Sequence, residues 1–203
     1  GRAMTTDGYH AFWMLTRVWY QLRRPLRWEE PLTIRTWHRG DKGATMYRDY
    51  DLFVDGEAVG ECVSAWVLAS LDTRQIIRLA TVHELDGTGG GELCKSKKLS
   101  KLRLPQNLEL AGRRKLRYSD TDLNGHVNNT RYADFACDAL EMERLGPDRF
   151  LSSMQIGYLA ECRPGEELLL WTKEQDGTHF VQGMDEGGKS RFEAALIFGE
   201  VLP

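Results

Sequence analysis

The sequence predicts an α+β protein built from two like halves, each an antiparallel sheet packed on one helix. Three observations carry this expectation. Runs of β-type residues are separated by short glycine-containing turns, one amphipathic stretch interrupts them near the middle, and the two halves parallel each other segment by segment.

The elements follow in order. Trp13 to Leu22 is bulky and partly alternating, and Pro31 to His38, Thr45 to Val54 and Ala58 to Leu71 are three further β-type runs. Gly40 to Gly43 and the pair Asp55 and Gly56 sit where hairpin turns belong, so the first half reads as an antiparallel sheet. Thr130 to Leu145 carries Tyr132, Phe135, Ala136, Ala139, Leu140 and Met142 at mixed three- and four-residue spacings, the stripe of a buried helix ending near Gly146 and Pro147. Strand-like runs return at Met154 to Glu161, Glu167 to Lys173, His179 to Met184 and Arg191 to Val201, with turns at Asp176, Gly177, Gly187 and Gly188.

The halves match in detail. Tyr20 to Pro25 parallels Tyr158 to Pro164, which is one residue longer, and Leu32 to Trp37 parallels Glu167 to Trp171. The long last strands, Glu57 to Leu71 and Lys189 to Leu202, also correspond. This is the signature of an internal duplication. A half of this kind buries one sheet face against one helix. The first half should therefore own a helix as well, and the sequence is expected to begin inside its first repeat. Between the halves, Asp86 to Gly91 is a glycine-rich linker, and the boundary falls near residue 110, giving domains 1–109 and 110–203. Lys95, Lys97, Lys98, Lys101, Arg103, Arg113, Arg114, Lys115 and Arg117 make this stretch strongly basic, with Glu109 its only acid. It is either a solvated surface or a dock for an acidic partner.

Composition narrows the function. A chain of 203 residues, 41% of them hydrophobic, supports a sizeable core, and a net charge of -3 argues for neither nucleic acid nor a membrane surface. The longest uncharged apolar stretch, Cys62 to Leu71, falls far short of the roughly 20 residues that span a bilayer. No secretory signal is read at the start, and Cys62, Cys94, Cys137 and Cys162 form no C-x-x-C pair, so a reducing, cytoplasmic setting is expected. The histidines show no i, i+4 pairing, and no metal or cofactor is expected. Gly183 to Ser190 satisfies G-x-x-x-x-G-K-[ST] letter for letter. The apolar run after it lacks helical periodicity and two acids lie inside it, so it reads as a hairpin turn. There is no G-x-S-x-G.

The densest chemistry lies at Asp120 to Asn129, DTDLNGHVNN, just before the helix. Asp120, Asp122, Asn124 and His126 alternate, and an extended segment would project them from one face. Asn128 or Asn129 suits a cap, and the helix N-terminus offers donors for an oxyanion. These features suit acyl chemistry. Glu161 ends the strand-like run of the second half, where the first half has Arg23, so the chemistry is assigned to the second half with Glu161 facing the Asp122 loop. Cys162 is a possible nucleophile paired with His126, although a cysteine there is more often a small buried hydrophobe.

At DTDLNGHVNNTRY the sequence resembles the hot-dog thioesterases, and together with Glu161 and Cys162 it is similar to the acyl-(acyl carrier protein) thioesterases of bacteria and plastids. The resemblance extends through Trp13 to Arg17, Thr36 and Trp37, Arg48 and Asp49, Ser64 to Val67 and Asp72 to Arg74. It implies a double hot-dog fold, with Asp122, Asn124, His126 and Glu161 as the catalytic network and Cys162 matching a cysteine once proposed as nucleophile. The implied reaction is hydrolysis of a fatty acyl thioester to free fatty acid and carrier thiol. Glu161 is then the expected general base, His126 and Asn124 position water or the thioester, and Asp122 orients them, with an Asp122 anhydride as the alternative. Lys97, Lys98 and Lys101 would meet the acidic carrier protein. A monomer or homodimer is expected. The rival readings are an acyl-CoA thioesterase and a non-catalytic acyl-binding module.

Overall fold

The computed structural model of the chain describes residues 10–82 and 99–201. Contacts among them define two units, one within Gly1–Gln21 and Leu26–Ser100, the other within Leu22–Pro25 and Lys101–Pro203.

In the first unit, β1 (Ala11–Leu22), β2 (Leu32–Lys42), β3 (Thr45–Val54) and β4 (Glu57–Ser70) stand in the order β2-β3-β4-β1, with a two-residue β5 (Ile76–Ile77) beside β4. Asp55 and Gly56 both have positive φ, 50° and 84°, as the turn matching the twist of two antiparallel strands demands. Trp19, Val63, Ala65 and Leu99 form one buried cluster, and Ala11, Leu68, Leu79 and Val82 a second. Asp49 is wholly buried and is held by Arg39, whose Nε donates to Oδ2 at 2.9 Å while Nη2 lies 2.7 Å from Oδ1. No α-helix occurs among the described residues of this unit.

The second unit contains β6 (Glu109–Lys115), α1 (Arg131–Ala139), β7 (Arg149–Tyr158), β8 (Glu167–Gln175), β9 (Thr178–Met184) and β10 (Ser190–Glu200), ordered β7-β10-β9-β8-β6. The path β8-β9-β10-β7 repeats β2-β3-β4-β1, so the two units share one strand topology. Helix α1 packs on β8, β6 and β9, and its buried residues Tyr132, Phe135 and Ala136 lie three and one apart, on one helical face. The Tyr132 ring meets Phe192 edge-on at 5.3 Å and Tyr158 at 5.7 Å. Burying Phe135 completely contributes about 1.5–3 kcal/mol.

Several boundaries differ from the sequence expectation. Helix α1 stops at Ala139 because Glu141 takes a left-handed conformation, φ 51°, after which Met142–Arg144 form a single 3₁₀ turn. Strand β7 begins at Arg149 and ends at Tyr158, so Glu161 lies beyond it. Strand β6 occupies the basic segment, which has paired structure from Glu109 onward. Lys97 and Lys98 lie outside the described residues, while Lys101 is exposed.

The G-x-x-x-x-G-K-S segment is the turn between β9 and β10, followed by a strand. Its first glycine has a packing reason. A Cβ on Gly183 would stand 2.1 Å from Phe192 Cε1.

One charged cluster ties β6 to α1. Asp120, 1% exposed, closes a 3₁₀ turn (Tyr118–Asp120); its Oδ2 accepts from the Arg117 backbone N–H at 2.8 Å and its Oδ1 from Arg114 Nη2 at 3.1 Å. Arg131 Nε of α1 approaches Oδ1 at 3.5 Å. Arg114 also donates to Asp138 at 3.1 Å and lies over the Phe135 ring, 4.2 Å from its centre. Burial opposes ionisation of Asp120, but the Arg117 N–H and the Arg114 guanidinium outweigh it and hold the carboxyl below its usual pKa.

Two substitutions check this packing. Gly183→Ala should destabilise the chain by about 1–3 kcal/mol through overpacking against Phe192, read by urea denaturation, and adding Phe192→Leu should recover part of the loss. Asp120→Asn should lower stability by on the order of 3 kcal/mol at pH 7, because it strips the charge from a buried pair. With its folded pKa depressed, Asp120 contributes fully above the ordinary carboxyl pKa of about 3.9, and the contribution fades as pH falls through the folded value. The gap between wild type and Asp120→Asn should therefore narrow in denaturation curves taken below that range.

Candidate active site

The site begins where β6 ends. Leu116 continues pairing beyond the strand, donating to Glu166 O at 2.9 Å and accepting from Gly165 N–H at 2.9 Å, so the chain after β6 runs beside the chain after β7. The Asp120 carbonyl accepts from Asn128 N–H at 2.8 Å, and Thr121 bridges Val127. The loop therefore leaves and returns at one place.

Inside that closure the chain turns tightly. Asp122 N–H donates to His126 O at 2.9 Å, Gly125 N–H donates to Asp122 O at 3.1 Å, and Gly125 has φ 73°. Asp122 Oδ1 accepts from the Asn124 backbone N–H at 2.8 Å, and Oδ2 from Asn124 Nδ2 at 3.3 Å. The expected extended arrangement is thus replaced. A carboxylate two residues before an N–H closes a local turn in preference to a strand, and Asp120 points into the core, away from the polar tip.

The structure brings two pairs together. Asp122 and Asn124 bind each other within the loop, while His126 Nε2 lies 3.3 Å from Glu161 Oε2. Val127 N–H donates to Cys162 O at 2.9 Å, which docks the loop on the segment after β7 and sets His126 beside Glu161. The Glu161 side chain is 53% exposed and that of His126 22%, so the pair is open to water from one side.

Cys162 is fully buried. Burial pushes its thiol pKa up, with a hydrogen bond to Tyr132 acting against the rise, and burial likewise raises the Tyr132 hydroxyl. The thiolate is the nucleophilic form, so this environment suppresses rather than activates the sulfur.

The entry to α1 differs from the oxyanion donor set expected of it. Asn128 Oδ1 accepts from the Thr130 N–H at 3.0 Å and the Thr130 hydroxyl at 2.9 Å, Arg131 N–H donates to Asn128 O, and Ala133 N–H to Thr130 O. Those donors are occupied by the chain itself. No cluster of three or more His, Cys, Asp or Glu side chains suited to a metal occurs among the described residues.

Sequence reasoning passed over Arg191. Its Nη1 donates to the Glu161 carbonyl at 2.7 Å across 30 residues of sequence, a distance no local motif reveals.

Residues 107–199 match the family model of the acyl-ACP thioesterase C-terminal domain and residues 2–83 that of the N-terminal domain. The chain is 26% identical to oleoyl-acyl carrier protein thioesterase 1, chloroplastic, of Arabidopsis thaliana, over 86% of this chain and 55% of that protein. It spans about half the length of the curated relatives it matches. Its fold superposes on the crystal structure of an acyl-ACP thioesterase from Bacteroides thetaiotaomicron with a TM-score of 0.82 at 24% identity, covering 94% of this chain and 77% of that one. For the 12:0-ACP thioesterase from Umbellularia californica the TM-score is 0.79 at 21% identity, with 95% and 76% covered. The fold is the hot-dog fold, and with family domains matched over both units the chain belongs to the acyl-ACP thioesterase family.

Proposed function

We propose that the protein hydrolyses fatty acyl thioesters of acyl carrier protein, releasing free fatty acid and the carrier thiol. The observation that carries the reading is the 3.3 Å approach of His126 Nε2 to Glu161 Oε2 on a half-exposed carboxylate beside the polar loop. Glu161 takes a proton from water as the water oxygen attacks the thioester carbonyl. The tetrahedral intermediate then collapses, the C–S bond breaks, and the proton passes to the departing thiolate. His126 orients Glu161 and the water beside its carboxylate.

Asp122 has both oxygens engaged by Asn124, which supports an orienting carboxylate over an anhydride-forming nucleophile. Asn124 is exposed and held by its own backbone N–H, which leaves its amide oxygen to position water or the thioester. Cys162 is assigned to the core. The basic segment serves as the dock for an acidic carrier, with Lys101, Arg103, Arg113, Lys115 and Arg117 exposed on it. Cys62, Cys137 and Cys162 carry free thiols, which suits a reducing compartment such as the cytoplasm.

Activity on one acyl chain carried by carrier protein and by coenzyme A, read as thiol release, tests the substrate class. Carrier protein should be preferred, and a strong preference for coenzyme A would overturn the assignment. Glu161→Ala should lower kcat by about 10²–10⁴-fold, the usual contribution of positioned proton transfer. If Glu161→Ala and Asp122→Ala both kept full turnover, an acyl-binding module would replace the enzyme. Cys162→Ala should retain most activity. Lys101→Glu should raise KM for the carrier-bound substrate and leave KM for the coenzyme A ester unchanged.

A further inference from the structure

Strand β10 carries an irregularity at its start. Its register against β9 passes from Ser190 opposite Met184 to Phe192 opposite Gly183, which leaves Arg191 as an extra residue with no partner in β9. A bulge of this kind releases a side chain from the regular alternation and turns it to a new direction. Here the new direction is the segment that carries Glu161. Arg191 O accepts from Leu159 N–H at 2.9 Å and from Ala160 N–H at 3.1 Å, and Arg191 Nη1 donates to Glu161 O at 2.7 Å. Three consecutive residues beyond β7 are therefore fixed by one arginine.

Arg191 is itself anchored. Its Nε donates to Asp185 Oδ2 at 3.0 Å, its Nη2 lies 3.0 Å from the same oxygen, and Glu166 Oε2 is 3.8 Å from Nη2. Asp185 is in turn held by the turn between β9 and β10, where its Oδ1 accepts from Lys189 N–H at 2.8 Å. The Arg191 side chain is only 18% exposed, so its direction is set by these partners. Without the arginine, Glu161 would follow a chain end whose carbonyl has lost its charged donor. Among the described residues its carboxylate, more than half exposed, is tied to the loop by the 3.3 Å approach of His126 Nε2.

We infer that Arg191 is a positioning residue, one that sets the backbone of Glu161 so that its carboxylate meets His126, with Asp185 as the anchor of the arginine. This rests on the reading of Glu161 as the general base. The bulge thus links the tip of the β9–β10 hairpin to the reacting carboxylate. The letters G-K-S in that hairpin, empty as a phosphate motif, belong to a turn that orients Arg191.

The test is a double-mutant cycle on this chain with carrier-bound acyl substrate. Arg191→Gln should lower kcat by about 10–100-fold with KM within about twofold, since a reacting group displaced by a fraction of an ångström to an ångström costs on that order. Asp185→Asn should give a smaller loss of the same kind, and Arg191→Lys should recover part of the Gln loss. In a Glu161→Gln background, Arg191→Gln should cost less than about twofold, because a residue that acts through Glu161 has nothing left to position. An equal loss in both backgrounds, or a loss confined to KM, would overturn the inference. Thermal unfolding separates misfolding from misplacement, and if Arg191→Gln fails to fold, Asp185→Asn carries the same cycle. Full activity of Glu161→Gln would strike down the general base itself. An inactive Glu161→Gln beside a fully active Arg191→Gln would strike down the positioning role alone.

Discussion

One buried carboxylate holds the second unit together. Asp120 collects a strand through Arg114, a turn through the Arg117 N–H and the helix through Arg131, and its own carbonyl receives the returning loop at Asn128. An ionised carboxylate buried without such partners costs several kcal/mol, and these partners together, the Arg117 N–H and Arg114 foremost, keep the acid charged where it is. Through this gathering the loop between Thr121 and Val127 has fixed ends. Its tip can then be almost wholly polar without unravelling the helix behind it.

The site divides its labour between what is held and what is left free. Two supports hold the backbone at Glu161 and Cys162: the Val127 N–H on the Cys162 carbonyl, and the Arg191 guanidinium on the Glu161 carbonyl. Both act on backbone, leaving the Glu161 carboxylate uncommitted except toward His126. Cys162 faces inward to Tyr132, while the neighbouring Glu161 side chain is 53% exposed.

Much of the architecture was legible because strands and turns announce themselves locally. Asp55 with Gly56 and Asp176 with Gly177 mark hairpins by their chemistry, and every long strand expected in the two halves is present. Strand β6 was hidden by its composition, because arginines and lysines at a half-exposed position read as linker. The helix was read too long because Leu140, Met142 and Leu145 continue its apolar spacing, while the break depends on the backbone of Glu141, which leaves no trace in a pattern of side chains. Within the site, alternation put Asp120 beside Asp122, Asn124 and His126. The turn at Gly125 and the bonds of Asp122 to Asn124 remove the extended geometry on which alternation depends. The pairing of the loop with Glu161 came from comparing the halves, whereas Arg191 reaches Glu161 through a register shift that only the folded sheet displays.

Strand β6 ends the strand order of its unit, so among the described residues one of its long sides has no neighbouring strand. An open side of this kind exposes N–H and C=O groups to any extended chain that drifts past, which is how sheets stack into fibres. Arg113, 57% exposed, and the exposed Lys115 and Arg117 line this border, and the register against β8 skips Ala111, which kinks it. A second copy approaching with β6 parallel and in register would bring Lys115 against Lys115 along a bent rim. Exposed cations and a bulge on an edge strand are two of the devices that blunt strand-to-strand pairing, so neutralising them would be felt first as lost solubility.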